Sequence, residues 1–537
     1  MRTPLLRSLR RIVADLSLSR RDGKPVDVVR EERRQRQEAR LISRRALLGG
    51  AAAAAGVLAL PRSARAHRNR ASVAVIGGGR AGMACARRRH KHGVSCKVFE
   101  ASARIGGRMY SNDSGYWKYG QVTEWGGELI DTGHERIQTL AGLYGLTLDN
   151  LHAAEPAGSS EVYKVGGQYY AKADADQDFV DMFDVIADDE AAAGYPTTWD
   201  SFTDAGKALD HMSVHQWIAT RVPGGHGSPL GKVLDLAYAI EYGADTVDQS
   251  ALNLLYLLAY QPDDATFNAF GVSDETFHIR GGNQQLPRAI ASSLPGGTIQ
   301  YGHKLVRLKK TAGGRTRCTF EHDGCTVEDT FDYVVLCIPF AVLADLDYSQ
   351  AGFDDRKRLA IAQLGRGHSA KLQLQFDHRI WAGTGAWPGI ANGSTYADGY
   401  QSSWEPTRGQ PGPGGIINLF SGGSVTNALE TNTAFATASN PTVKNDAVRG
   451  LAQLGQVFPG LQWNGRATAS VWHKNPLAKH GYAYFKVGQY TSFGGYEGVR
   501  QGGVLFAGDH TSQDFQGFME GAATEGERAA SELLDLI

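Results

Sequence analysis

An α/β fold of two or three packed domains is what this sequence predicts, and three observations carry that reading. The chain has 537 residues, a length that corresponds to about three ordinary domains. A β-branched run, Ser72-Val73-Ala74-Val75-Ile76, meets Gly77-Gly78-Gly79-Arg80-Ala81-Gly82, passes into a helical stretch from Met83 to His92 and returns as a strand from Val94 to Phe99. That strand-helix-strand order is the unit of a parallel sheet. Hydrophobic residues make up 42% and charged residues 21%, close to the globular mean, which excludes a disordered chain and a multi-span membrane protein.

The N-terminal segment stands apart in charge. Residues 1–66 hold 16 Lys+Arg against 6 Asp+Glu, a net of +10, and the rest of the chain is correspondingly acidic. Ser43-Arg44-Arg45-Ala46-Leu47-Leu48 opens an apolar run to Leu60, and Pro61 with Ala64-Arg65-Ala66 supplies a small-residue cleavage pattern. This resembles a twin-arginine export signal and implies a periplasmic or extracellular location, with no stable membrane span after processing. The alternative is an uncleaved anchor, although the run is short and rich in Gly and Ala.

The first βαβ unit carries the chemistry. Gly77 permits the tight turn, Gly79 lets backbone N–H groups approach a pyrophosphate, and Gly82 lets the helix pack on the strand. The helix N-terminus offers partial positive charge, and Glu100, closing the second strand, can accept bonds from a ribose diol. A Rossmann-type dinucleotide site follows, the alternative being an incidental glycine-rich turn. Further on, Ile137 to Tyr144 and Lys232 to Tyr260 read as apolar helices, whereas Lys371 to Phe376 and Asp332 to Ile338 read as strands. The Pro/Gly cluster from Arg408 to Gly415 reads as a surface loop. Cys85, Cys96, Cys318, Cys325 and Cys337 are odd in number and have no paired spacing, so they read as buried small hydrophobes. The histidines lack metal-ligand spacing, and no metal site is expected.

Several segments, in this order, resemble the FAD-dependent amine oxidase family, which includes monoamine, polyamine and L-amino-acid oxidases. They are Glu100-Ala101-Ser102, Arg104-Ile105-Gly106-Gly107-Arg108, Trp125-Gly126-Gly127-Glu128, Gly281-Gly282-Asn283 with Leu286-Pro287, and Val334 to Phe340. The most specific is Phe506-Ala507-Gly508-Asp509-His510 running to Gly517-Phe518-Met519-Glu520-Gly521-Ala522. The resemblance implies α/β architecture with an α+β second domain. The FAD-binding domain is then discontinuous (67–150, 270–345 and 485–537), and the substrate-binding and helical regions are 151–269 and 346–484. It places Gly77, Gly79, Gly82, Glu100, Ala101, Arg108, Gly126, Gly127, Val306, Asp509, Gly517 and Met519 around FAD, with Arg108 on phosphate and Met519 acting through its backbone N–H.

The same resemblance assigns Lys371 to the step in which oxygen meets reduced flavin; the alternative is an ordinary half-exposed strand. Tyr482 and Phe518 match the aromatic pair that faces the flavin, with core packing as the alternative. Gly481 stands where monoamine oxidases carry the cysteine that bonds FAD, so the cofactor is expected to be noncovalent. The implied reaction takes an amine to an imine and then to a carbonyl compound, with oxygen reduced to hydrogen peroxide. Leu129 stands where L-amino-acid oxidases place a carboxylate-binding arginine, and Glu128, with Glu241 and Asp245, favours a cationic amine. An L-amino-acid oxidase is the second reading. A flavin desaturase or dehydrogenase, or an FAD-bearing binding protein without turnover, are readings from other classes. The expected partners are a small amine and oxygen, with no nucleic acid and a homodimer as an open possibility.

Overall fold

A computed structural model describes residues 71–261 and 266–537. The elements that frame the site are, in chain order, β1 (Val73–Ile76), α1 (Arg80–Lys91), β2 (Lys97–Phe99), α2 (Pro229–Tyr242), α3 (Ala251–Leu258), β3 (Ile299–Gln300), β4 (Tyr333–Leu336), β5 (Ser369–Phe376), β6 (Gly415–Gly422), β7 (Trp463–Val471), β8 (Val504–Phe506) and α4 (Met519–Leu536).

Five parallel strands form one sheet in the order β8-β4-β1-β2-β3. A parallel sheet must bury both faces, and β1 shows how four residues do so. Val73 and Val75 join a core with Met83 of α1 and Ala523 and Leu533 of α4. Ala74 and Ile76 point the other way, into a core with Leu305, Phe320 and Phe506. Helices α1 and α4 lie close because glycines let them: a Cβ at Gly526 would stand 2.2 Å from the Ala81 carbonyl oxygen. The C-terminal segment thereby returns to the first βαβ unit.

A second, eight-stranded sheet runs Phe435–Thr437, β7, β5, β6, Gln401–Trp404, Ile390–Ala397, Ser159–Val165, Gln168–Tyr170. Its neighbours are antiparallel except where Ile390–Ala397 meets Ser159–Val165. The half-exposed reading of β5 is overturned, since every residue in it is buried. Leu372, Leu374 and Phe376 pack into a core shared with Val443, Ala447 and Leu454 of the helix Pro441–Val457. The polar face is covered by the segment from Lys118 to Glu124. Gln373 accepts from the Thr123 hydroxyl at 2.8 Å, and Gln375 donates to the Gln121 side chain at 2.9 Å. The polar half of the alternation therefore reports a buried hydrogen-bonded layer, not solvent.

Lys232 to Tyr260 divides into α2 and α3. Gly243 ends α2 in a left-handed conformation (φ 64°), the turn that favours glycine. The cysteine reading needs one correction: Cys85 and Cys318 are buried, but Cys325 is exposed in a hairpin, and all five are free. The loop from Arg408 is on the surface at Pro411 to Pro413, while Arg408 itself is buried against Glu155. Among the described residues no helix is long and apolar enough to cross a membrane. The twin-arginine segment and its cleavage pattern lie outside the described residues.

Candidate active site

A cavity of ≈ 390 Å³ opens at the C-terminal ends of β1 and β4, where Ile76, Gly77 and Cys337 form its floor. Open parallel sheets bind ligands at that edge. Gly79, Glu100 and Ala101 line one end; Arg108, Gly126, Gly127, Lys371 and Tyr482 line the other, with Asp509, Gly517, Phe518 and Met519 from the C-terminal segment. Residues more than 400 positions apart in the chain thus share one wall.

The glycines act in different ways. Gly79 has nothing within 3.9 Å of a virtual Cβ, so the backbone there is open to a ligand. Gly82 is absent from the cavity wall, because its task is internal: a Cβ would sit 1.9 Å from the Gly77 carbonyl oxygen. Helix α1 begins with no side-chain cap and no acid in its first turn, which leaves its N–H groups and positive end for an anion. Glu100 shapes the loop as well as the cavity. Its carboxylate accepts from Gly78 N at 2.7 Å and from Ser102 N at 2.8 Å.

At the far end, Arg108 donates to the Gly481 carbonyl at 2.7 Å and pairs with Asp509. Burial works to raise the Asp509 carboxyl, and Arg108 with two neighbouring histidines outweighs it, so Asp509 lies below the usual carboxylate range. Its second oxygen, Oδ2, is buried with no hydrogen-bond partner. An ionised acceptor facing a ligand cavity with an unmet bond is chemically suited to a hydroxyl-bearing cofactor chain. Helix α4 starts at Met519 without a side-chain cap, so its first N–H groups point positive potential into the same cavity. The donor set fits a dinucleotide that carries a polyhydroxyl chain, as FAD does.

Two expected contacts are corrected. Val306 does not line the cavity; Lys304 and Leu305 do, because only the first residues of the strand Lys304–Lys310 reach it. Glu128 does not reach the cavity either. Its carboxylate receives the Lys371 ammonium at 2.5 Å and the Trp404 indole N–H at 2.7 Å. A carboxylate with both oxygens engaged in this way is a positioning group for Lys371 and not a receptor for an incoming cation. Asp245 is likewise engaged, accepting from the Ser424 amide at 2.9 Å. Lys371 is buried, donates also to the Gly126 carbonyl at 2.8 Å, and lies on the cavity wall.

Tyr482 and Phe518 both line the cavity, and Phe518 also packs near His134, ring centroids 5.2 Å apart. Burial raises the Tyr482 phenol above its ordinary value, and Glu241 and Glu275 raise it further. Those two acids, with Glu161, form a group of interior carboxyls. Each keeps accessible surface although protein surrounds it. Glu241 was a sequence candidate; Glu161 and Glu275 were not, since 114 positions separate them in the chain and no motif links them. Away from the cavity, the ligand atoms of His215, His226 and Asp235 lie within 4.8 Å of one another, a proximity that their spacing in sequence does not signal.

A discontinuous parallel sheet with a dinucleotide cavity at its carboxyl edge, walled by a buried lysine and an aromatic residue from each half, defines a cofactor-dependent oxidoreductase. Residues 80–534 match the family described as flavin containing amine oxidoreductase, and the chain belongs to it. It is therefore a flavin-dependent enzyme that acts on amines. It is 22% identical to the probable polyamine oxidase 4 of Arabidopsis thaliana, with 86% of each chain covered. It is 24% identical to an L-amino acid dehydrogenase of Synechocystis sp., covering 86% of this chain and 94% of the other. Among solved structures, cyclohexylamine oxidase from Brevibacterium oxydans has the same fold at 19% identity, with a TM-score of 0.72 over 87% of this chain and 99% of that one.

Proposed function

We propose that this protein is an exported amine oxidase that holds FAD noncovalently and oxidises a primary amine or polyamine to an imine, with oxygen as the electron acceptor and hydrogen peroxide as its product. The observation that carries the substrate class is a set of interior carboxyls behind the cavity wall, two of which, Glu241 and Glu275, are within electrostatic reach of Tyr482 on that wall. Burial pushes Glu241 up to about 8, and Asp131 adds to the rise. Glu275 is raised well above its ordinary value, first by burial and then by Asp131 and Glu241. Neutral acids crowded in a low-dielectric interior lack a counter-charge. An ammonium group on the substrate supplies one, so binding a cation ionises them and releases protons. A substrate carboxylate would bring no counter-charge and would hold these acids in their neutral form. Arg408, which is within electrostatic reach of Glu275, is already paired with Glu155.

The chain's own groups then have separate roles. Tyr482 and Phe518 wall the reacting amine and exclude water. The carboxyl group fixes a second, distal cationic centre, which leaves the reacting nitrogen free to be neutral. Lys371, oriented by Glu128, places a positive charge at the cavity where oxygen acquires negative charge. FAD, when bound, supplies the two-electron redox chemistry. Noncovalent attachment is supported by Gly481: a Cβ there would lie 2.6 Å from Ser369 Oγ, so the position has no room for a linking side chain. Export is supported by the segment from Ser43 to Ala66.

The test is anaerobic mixing of the chain after Ala66 with diamines, monoamines and L-amino acids. Bleaching of the flavin band by diamines, with peroxide on admitting air, is the expected result. Faster bleaching by L-amino acids would overturn the substrate class. Cell fractionation of the full chain and of Arg44→Lys/Arg45→Lys checks export, since the variant should stay in the cytoplasm.

A further inference from the structure

Arg80 is a charged residue set inside the glycine fingerprint, between Gly79 and Gly82, where the turn itself needs only a backbone that can approach a ligand. It is the first residue of α1 and lines the cofactor cavity. Only 4% of its surface is exposed, and Nε, Nη1 and Nη2 are all buried without a hydrogen-bond partner. Burial lowers it to about 10, which leaves it charged at neutral pH.

The acids within its electrostatic reach are already in use. Glu520 accepts from the Arg136 and Ile137 amides, both at 2.8 Å. Glu527 stands 3.4–3.6 Å from the guanidinium groups of Arg136, Arg87 and Arg88. Arg80 at the start of α1, Arg87 and Arg88 two turns further along it and Arg136 therefore share two carboxylates, and the first turn of the helix holds no acid. A buried ion without a partner is a standing penalty, and the helix end adds positive potential to it.

We propose that Arg80 is the built-in counter-charge for the diphosphate of FAD, an anion with two negative charges seated at the start of α1. This rests on the FAD reading above. The glycines admit the diphosphate, and Arg80 completes its charge; neither does the other's work. The bland alternative is that Arg80 only ties α1 to α4 through Glu520 and Glu527.

The two are separated with purified holoenzyme, by FAD fluorescence recovered on dilution and by melting temperature across a series of added FAD. Arg80→Met should raise the FAD dissociation constant at least about tenfold, and added FAD should restore the melting temperature by mass action. Arg80→Lys, which keeps the charge and loses the planar fork, should show a smaller rise. An unchanged dissociation constant in Arg80→Met, with a melting temperature lowered equally at every FAD concentration, would overturn the proposal. If Arg80→Met does not fold, Arg80→Lys decides: a severalfold rise supports the counter-charge, and wild-type affinity overturns it. A wild-type chain that carries no flavin and is not stabilised by added FAD would instead remove the FAD reading itself.

Discussion

The cofactor half and the substrate half of this molecule solve opposite problems. Around β1 and α1 the backbone makes the site: glycines clear space, and helix ends supply the field. Between β5 and Tyr482 the side chains make it, through a lysine, a glutamate and an indole in one buried chain and a set of interior carboxyls. A backbone site is specified by contiguous residues and tolerates little steric change. A side-chain site is specified by residues drawn together from afar, and it tolerates substitution while its chemistry shifts.

The strongest way to break this contrast is at Gly82. Its Cβ would sit 1.9 Å from the Gly77 carbonyl oxygen, and neither backbone can yield without moving the strand or the helix. Gly82→Ala should cost upwards of about 3 kcal/mol and release the flavin, as read by denaturant unfolding and by the flavin absorbance of the purified chain. A Gly82→Ala protein that keeps its flavin and its stability would mean that the turn is not as tight as it looks.

Lys371 tests the side-chain half. Lys371→Met should slow reoxidation of the reduced flavin by oxygen by about 10²–10³ in stopped-flow, while anaerobic reduction by the amine changes little. It also strands Glu128, so stability should fall by about 3–5 kcal/mol. The double variant Lys371→Met/Glu128→Gln should recover most of that stability and none of the reoxidation rate. Recovery of both would assign Lys371 to structure alone.

These cases also show what could be read from sequence. The parallel sheet was legible because its first βαβ unit is contiguous and local periodicity holds there, and the C-terminal segment was legible through motif order. The setting of Lys371 was not. Its strand alternates as an exposed strand does, and only the covering segment from Lys118 to Glu124, some 250 positions earlier, makes the polar face interior. Glu128 was legible as an acid near the site but not as the partner of Lys371. Sequence gives a residue's charge and leaves open which opposite charge will claim it. Arg80 stood in plain view within the fingerprint; a cation where the motif asks for none was the signal.

A smaller effect is expected at Glu241. Glu241→Gln keeps the shape and removes the ionisable group, so flavin content and monoamine turnover should hold. The dissociation constant of an unreactive diamine should rise about 10–100-fold, the worth of one charged hydrogen-bond partner. Equal losses for monoamines and diamines would show that Glu241 does not read the distal ammonium.

The mildest test is pH, and its sign follows from the same acids. Glu241 has a folded value of about 8 against an ordinary 4.5, so between those values the folded chain binds more protons than the unfolded one. Stability from this group is complete below pH 4.5 and is lost as pH rises through 8. Glu275, raised in the same direction, adds to the loss. A bound diamine reverses the argument: its ammonium favours the ionised acids, so the melting temperature gained on adding an unreactive diamine should grow from pH 6 to pH 8. Glu241→Gln should flatten both the unliganded decline and the ligand-dependent gain. A gain that stays constant with pH in the wild type would separate the interior acids from substrate binding.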